Sequence, residues 1–344
     1  MTSTRRSRRD WRVILWLSLG SAVVSAYFSY AVSESGEPAW RKALTGVAHS
    51  IIIATPILLF EVKGQHLSAM RYLRRQPLLW YFAFRLAFYT VIILGGLVLG
   101  RMLVGPQGFR FDHTFRDSVV FAIAMATLTN LAFQVGSLLG FRTLRNLATG
   151  RYARPRRERR AFLLIDMKDS TGLAERLGPI RFHALLNDFF RDIADGALEC
   201  GAEIHKYVGD EAILTWPDGV ALRDGDVLDC PFVVRDNIKA NAATYREHFG
   251  AVPEFRASLH SGEIVAGEIG DIRREIAYVG DTLNVAARLL EAAKEAGHDV
   301  LVSEDLLTIA TPPDGIVVEK LPMLSVRGRK QPLAIAALSS KDRL

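Results

Sequence analysis

The hydrophobic and polar positions divide the chain into two unlike parts. Four apolar runs, at about residues 13–33, 43–61, 81–104 and 118–140, have little polar face. At about 1.5 Å per residue, each run is long enough to cross a hydrocarbon core of about 30 Å. The pattern predicts four transmembrane helices in a membrane domain over residues 1–140. The alternative, buried helices of a soluble bundle, requires amphipathic faces that these runs lack.

Beyond residue 160, short strand-like and helical segments alternate. The strand-like segments lie near 161–167, 203–208, 211–216, 254–261, 263–269, 299–302, 316–320 and 332–338. The helical segments lie near 173–199, 226–249, 282–297 and 303–310. This order predicts an α/β domain over residues 161–344, with helices covering one face of a sheet.

Residues 141–160 join the two parts. Phe141, Leu144 and Leu147 lie at helical spacing, and Gly150 and Pro155 then interrupt the pattern. The segment is therefore predicted to be a short helix followed by a cytoplasmic linker. A solvated tether and a signalling coupler are both open interpretations of it.

The distribution of lysine and arginine predicts the orientation in the membrane. The N-terminal tail, the second connection and the segment after the fourth run carry 17 basic residues, whereas the first and third connections carry 5. By the positive-inside rule, both termini and the α/β domain are cytoplasmic, in a multi-pass protein of the cell (plasma or inner) membrane. A cleaved signal peptide is the alternative for the first run and leaves the later topology unchanged.

The overall charge does not indicate a nucleic-acid partner. The net charge is +6, but the basic residues crowd at the predicted membrane edges, where they face anionic lipid. We therefore expect membrane lipid as a partner and no nucleic acid. Two cysteines, Cys200 and Cys230, are too few for a disulfide framework and fit a reducing cytoplasm.

Two aspartates at the ends of strand-like runs are candidate metal ligands. Asp166 follows the run Phe162-Leu-Leu-Ile, and Asp210 lies 44 residues later, after the run that begins at Glu203. Gly209 suits a tight hairpin turn just before Asp210. Two carboxylates that converge provide the oxygen ligands that Mg²⁺ prefers, and Mg²⁺ in turn indicates a phosphate-bearing substrate.

A third motif lies in a helical segment. Asn284 and Arg288 are four residues apart, so they project from the same helix face. Gly280 before them predicts a tight turn, with Asp281 or Thr282 as the helix cap. Taken alone, this pattern is better explained as an amphipathic helix with a solvent-facing arginine.

Together these motifs make the region from Phe162 to about Leu338 resemble the class III nucleotidyl cyclase catalytic domain, most closely that of membrane-bound bacterial adenylate cyclases. The resemblance implies a ferredoxin-like βαββαβ core. It also implies that Asp166 and Asp210 bind Mg²⁺ or Mn²⁺, two ions per site. By the same resemblance, Asn284 positions the ribose and Arg288 stabilises charge on the transferring phosphate. The remaining phosphate contacts that it implies are Arg256 and Arg327.

The resemblance places base recognition on two positions. Lys206 matches the lysine that favours adenine. Ala277, three residues before Gly280, stands where the family usually has Asp, Thr or Ser. Because alanine has no side-chain donor or acceptor, that contact is lost, made by backbone, or taken over by a neighbour such as Glu275 or Tyr278.

The resemblance predicts a homodimeric adenylate cyclase that converts ATP to 3′,5′-cyclic AMP and pyrophosphate. The family builds its site between two catalytic domains, and this chain carries both sets of residues. The alternatives are a guanylate cyclase, a diguanylate cyclase and a catalytically inactive cyclase-like membrane receptor. Against the diguanylate enzyme, Val208 replaces the first glycine of the corresponding loop.

Within the apolar runs, several polar residues call for partners. Thr127, Asn130 and Gln134 share one face of the fourth predicted helix, and we expect them to hydrogen-bond to neighbouring helices. His49 and Arg85 lie nearer the ends of their runs, where snorkelling or interfacial placement is expected.

Overall fold

A computed structural model describes residues 3–32, 38–63, 76–104, 113–219, 222, 225–272, 274–325 and 332–340. The chain divides into two compact units, Met1–Arg145 and Asn146–Leu344.

The first unit contains the four predicted apolar helices. They are α1 (Ser3–Val32), α2 (Ala39–Lys63), α3 (Leu78–Val104) and α4 (His113–Leu139). Each contains a stretch of 21 to 25 residues that is long and apolar enough to cross a membrane. The short helix α5 (Phe141–Ala148) follows, as the spacing of Phe141, Leu144 and Leu147 predicts.

Small residues allow close packing of α1 against α2. Gly46 of α2 lies so near the backbone of Ser25 that an added Cβ would overlap its carbonyl oxygen. Ser50 donates a hydrogen bond to Ser21 across the same interface, with an Oγ–Oγ distance of 3.1 Å. Such contacts are typical of helices that associate within a bilayer.

Arg85 differs from the expectation of snorkelling. Its side chain is 5% exposed and pairs with Glu61 of α2. It also donates to the hydroxyl groups of Tyr81 and Tyr89, at 3.2 and 3.0 Å, and to Gln134 Oε1 at 3.4 Å. Arg85 therefore joins α2, α3 and α4 from inside the unit, because a guanidinium group away from water needs this many acceptors. The predicted interhelical hydrogen bond of Gln134 is confirmed.

The other polar residues of these helices behave differently. Thr127 donates to the carbonyl of Ile123 in its own helix at 2.8 Å. Asn130 is buried, and neither side-chain atom has a hydrogen-bond partner. His49 Nδ1 lies 2.8 Å from the carbonyl of Thr45, again within one helix. For Thr127 and Asn130, the predicted interhelical bonds are therefore wrong.

The second unit alternates strands and helices. Its strands are β1 (Arg156–Met167), β2 (Glu203–Val208), β3 (Glu211–Pro217), β4 (Phe255–Ile269), β5 (Glu275–Val279), β6 (Val300–Ser303), β7 (Ile316–Leu324) and β8 (Leu333–Ser340). Its helices are α6 (Ser170–Glu199), α7 (Asp226–Ala240), α8 (Ala242–Phe249), α9 (Asp281–Ala296) and α10 (Glu304–Leu307). The order β1-α6-β2-β3-α7-β4 agrees with the predicted βαββαβ core. Strand β1 starts five residues earlier than predicted, within the segment assigned to the linker.

The described strands form one sheet with the order β2-β3-β1-β4-β6-β8-β7, and β5 pairs with β4. Alternate residues of β1 enter different hydrophobic cores. Leu163 and Ile165 pack in a core with α6 and α7, whereas Phe162 and Leu164 pack against α9. The prediction that helices cover one face is therefore wrong, because α9 covers the opposite face. Burial of each such large side chain contributes about 1.5–3 kcal/mol.

The structure around Gly262 differs from the prediction made from the sequence. Two strands were expected on either side of this glycine, but β4 runs through it, and β5 was not predicted. A Cβ on Gly262 would lie 2.6 Å from Thr282 Oγ1, so the glycine makes room for α9 rather than ending a strand. Thr282 Oγ1 donates to the carbonyl of Glu263 at 2.7 Å. Gly280 is the N-cap of α9, without a side-chain cap, so the predicted cap at Asp281 or Thr282 is wrong.

Candidate active site

Three charged residues lie side by side where β1 ends. Asp166 of β1 is in register with Glu211 of β3 and with Arg256 of β4. Residues opposite each other in antiparallel strands point to the same face, so these side chains share one side of the sheet. Asp210 precedes Glu211 in the turn between β2 and β3. That turn depends on Gly209, whose φ of 62° is in the left-handed region.

The carboxylates in this group act on one another electrostatically. Burial, and next the charge of Asp210, raise the pKa of Asp166, while Lys294 and Arg256 oppose the rise. Burial and then the charges of Asp166 and Asp210 raise the pKa of Glu211 to about 7. Glu211 was not among the candidate site residues predicted from the sequence, although its position directly after Asp210 was the available signal.

The donor set fits a hard divalent cation that also binds substrate oxygens. Among the described residues, no group of three or more His, Cys, Asp or Glu side chains is arranged to hold a metal ion. Mg²⁺ is commonly held by one or two carboxylates together with substrate phosphates and water. Asp166 and Asp210 provide two such carboxylates, and a cation between them would relieve their mutual repulsion.

Asn284 and Arg288 lie on the exposed side of α9. The opposite side of this helix buries Val285 and Leu289. Arg288 Nη1 contacts Glu291 Oε2 at 2.7 Å, an exposed pair that contributes little to stability. Asp166 lies at the end of β1 beside β3 and β4, whereas Arg288 lies on α9, so the two residues belong to different elements of the chain.

The structure brings together two of the residues considered for base recognition. Lys206 Nζ of β2 lies 3.6 Å from Glu275 Oε1 of β5, and both side chains are about half exposed. Ala277 lies two residues after Glu275 on the same strand and is partly buried. Arg327 lies outside the described residues.

Tyr278 is held in a different cluster. Its ring lies 4.4 Å from that of His205 and 5.8 Å from that of Phe162, and the Arg160 guanidinium is 4.8 Å from its centre. Burial, and then the charges of Lys206 and Arg160, lower the pKa of His205 to about 4. This ring is accordingly neutral at physiological pH and packs as an aromatic group.

Apolar side chains are exposed on the strands around these residues. Val265 and Val279 are opposite each other in the pairing of β4 with β5, and both are exposed. Ile269 on β4 and Val208 on β2 are about half exposed. Exposed apolar side chains next to a polar site are typical of a surface that associates with another protein.

Comparisons with known proteins give one consistent match. The adenylate and guanylate cyclase catalytic domain family matches residues 154–336. Adenylate cyclase 2 of Rhizobium meliloti (strain 1021) is 36% identical over 306 residues, 86% of this chain and 84% of that protein. The adenylate cyclase of Anabaena cylindrica is 24% identical over 186 residues, 52% of this chain and 36% of that protein. A bacterial light-regulated adenylyl cyclase structure is 13% identical, with a TM-score of 0.52 over 65% of each chain, a likeness of fold alone.

Proposed function

Since the chain belongs to the adenylate and guanylate cyclase catalytic domain family, the class III nucleotidyl cyclases, we propose that it is a membrane-anchored adenylate cyclase. It converts ATP to 3′,5′-cyclic AMP and pyrophosphate at sites shared between two copies of the chain. One observation carries the proposal. A single chain holds electrostatically coupled acids, Asp166 and Asp210, and also Asn284 and Arg288 on the exposed side of α9.

The choice of ATP over GTP rests on Lys206. Its side chain is about half exposed, and the resemblance assigns it to adenine. A relative that is 36% identical, and 84% of whose length this chain matches, is named an adenylate cyclase. A guanylate cyclase is the competing proposal, because the alanine at position 277 has no polar side-chain group that could contact the base.

The residues divide the chemistry between binding and charge stabilisation. Two Mg²⁺ or Mn²⁺ ions, held by Asp166 and Asp210, would polarise the ribose 3′-hydroxyl and neutralise the leaving pyrophosphate. Arg256, beside these acids, holds the triphosphate, and Asn284 orients the ribose for in-line attack on the α-phosphorus. Arg288 stabilises the charge that develops on the transferring phosphate, since guanidinium is planar, permanently charged and bidentate.

A homodimer explains why one chain carries both sets of residues. The Asn284–Arg288 side of α9 faces solvent, and exposed Val265 and Val279 offer apolar surface near it. Two copies related by a two-fold axis would then form two equivalent sites, each with acids from one chain and α9 from the other.

The membrane domain anchors the enzyme in the cell membrane. Its four apolar helices are long enough to span the bilayer, and the excess of basic residues in the connections on one side supports a cytoplasmic catalytic domain. The basic segments at the membrane edge contact anionic lipid.

The direct test is a product assay with the full chain in lipid nanodiscs. With Mn²⁺ or Mg²⁺ and either ATP or GTP, we expect cyclic AMP as the principal product. Cyclic GMP as the principal product would establish the guanylate cyclase, and cyclic di-GMP would establish the diguanylate cyclase. A folded dimer without turnover would indicate the inactive receptor.

The shared site has a sharper test in mixed dimers. Asp166→Ala and Arg288→Ala are each expected to be inactive alone. When the two variants are co-expressed, half of the dimers contain one copy of each. Each mixed dimer has one intact site out of two, so about a quarter of the wild-type activity returns. The matched control pairs Asp166→Ala with Asp210→Ala, which damage the same set and should recover nothing. Equal recovery of activity in both mixtures, or no recovery in either mixture, contradicts a site shared between chains.

A further inference from the structure

We infer that Glu275 reads the purine base together with Lys206, replacing the side chain that position 277 lacks. The inference rests on the proposed adenylate cyclase activity, and it deepens that proposal by naming a specificity-determining residue. The sequence left Glu275 and Tyr278 open as substitutes for the contact missing at Ala277, and the positions of the two side chains distinguish between them.

The strand geometry places Glu275 in the right region. Side chains alternate along β5, so Glu275 and Ala277 point to the same side, about 7 Å apart along the strand. The carboxylate of Glu275 lies 3.6 Å from Lys206 Nζ. Because Ala277 ends at its Cβ, it leaves space beside this pair for the edge of a base.

The pair is accessible rather than buried. The side chains of Lys206 and Glu275 are 51% and 46% exposed, so a nucleotide can reach both without unfolding the strands. An exposed ion pair of this kind contributes little to the stability of the fold. Nucleotide binding is therefore the larger role that the pair can have.

Tyr278, the other neighbour of Ala277, is not available for this role. It points to the opposite side of β5, opposite buried Ala266 of β4. Its ring is packed between His205, Phe162 and the guanidinium of Arg160. Using Tyr278 to contact a base would dismantle that cluster, whereas Glu275 needs no rearrangement.

The chemistry of the pair complements adenine. An ammonium group only donates and an ionised carboxylate only accepts hydrogen bonds. Adenine presents an acceptor at N1 and a donating amino group at C6, so Lys206 meets N1 while Glu275 meets the amino group. Guanine in the same pose presents a donor at N1 and an acceptor at O6, which places like against like at both contacts.

The test compares three variants of the full chain in nanodiscs, with kcat/KM measured separately for ATP and GTP. We expect Glu275→Ala to lower the ATP-to-GTP ratio of kcat/KM roughly 10- to 100-fold, the effect of one lost hydrogen bond to a charged group. Glu275→Gln should gain GTP turnover, because its amide can donate to O6. The double variant Glu275→Ala/Ala277→Asp should restore the ratio by returning a carboxylate to the adjacent position.

Controls separate this inference from the proposed function. Glu319→Ala removes an exposed carboxylate from β7 and should leave the ratio unchanged. Competition by α,β-methylene ATP and GTP should show the same shift in binding without turnover. If wild type forms cyclic AMP but Glu275→Ala keeps its ratio, or loses both activities equally, this inference alone fails. If wild type forms no cyclic AMP, the proposed function fails with it.

Discussion

Asp192 offers a quantitative test of the energetics of the catalytic domain. This carboxyl group of α6 is 1% exposed. It accepts hydrogen bonds from the Tyr245 hydroxyl at 2.6 Å and from Asn241 Nδ2 at 2.8 Å. Burial raises its pKa to about 6, and Asp195 adds to the rise, while the two hydrogen bonds and Arg191 oppose it.

The sign follows from the raised pKa. The folded protein holds the proton of Asp192 more tightly than the unfolded chain, whose value is 3.8. The stabilisation that protonated Asp192 contributes to the folded state is fully present below pH 3.8 and is lost as the pH rises through about 6. A difference of about two units corresponds to about 3 kcal/mol in all. Between pH 7.5 and pH 5, the recovered part is roughly 1–1.5 kcal/mol.

The assay is urea unfolding of the full chain in nanodiscs, compared between wild type and Asp192→Asn. Trp216, buried in the core of the second unit, reports the transition. Other carboxyl groups also titrate, so the measured quantity is the difference in pH dependence between the two proteins. Asp192→Asn should remove roughly 1–1.5 kcal/mol of the gain between pH 7.5 and 5.

The control is Asp188→Asn, which removes a different carboxylate of α6. The Asp188 carboxylate pairs with Arg191 at 2.9 Å. It should leave the contribution of Asp192 in place. If Asp192→Asn keeps the full pH dependence of wild type, burial does not raise the pKa of Asp192 to about 6.

Three further predictions concern packing, the membrane helices and the metal ions. Gly262→Ala should destabilise the catalytic domain by about 1–3 kcal/mol and lower activity, since its Cβ would press against Thr282 and displace α9. Unchanged thermal unfolding and turnover would contradict this. Glu61→Gln should destabilise the membrane unit by about 3–5 kcal/mol, because it leaves Arg85 charged and buried, whereas Glu61→Leu/Arg85→Met should lose less. Equal thermal stability of the single and double variants in nanodiscs would refute that account. Chelation of divalent cations should abolish cyclic AMP formation, and added Mg²⁺ or Mn²⁺ should restore it. Turnover that survives chelation would rule out metal-dependent chemistry.

The sequence alone predicted the parts that depend on neighbouring residues. Apolar runs about as long as a bilayer core is thick, or longer, identified the four helices, because the length of a run can be read without knowing its partners. Alternation and turn residues located β1, β2 and β3 and the hairpin that presents Asp210. The resemblance of three motifs then identified the family.

Tertiary structure decided what depends on residues far apart in the chain. Gly262 suggested a break, yet it permits contact with Thr282, twenty residues later. Arg85 near the start of α3 faces inward, because Glu61 and Gln134 on other helices provide acceptors. In each case the decisive interaction joins two elements that are far apart in the sequence. A local pattern of hydrophobic and polar positions contains no information about such contacts.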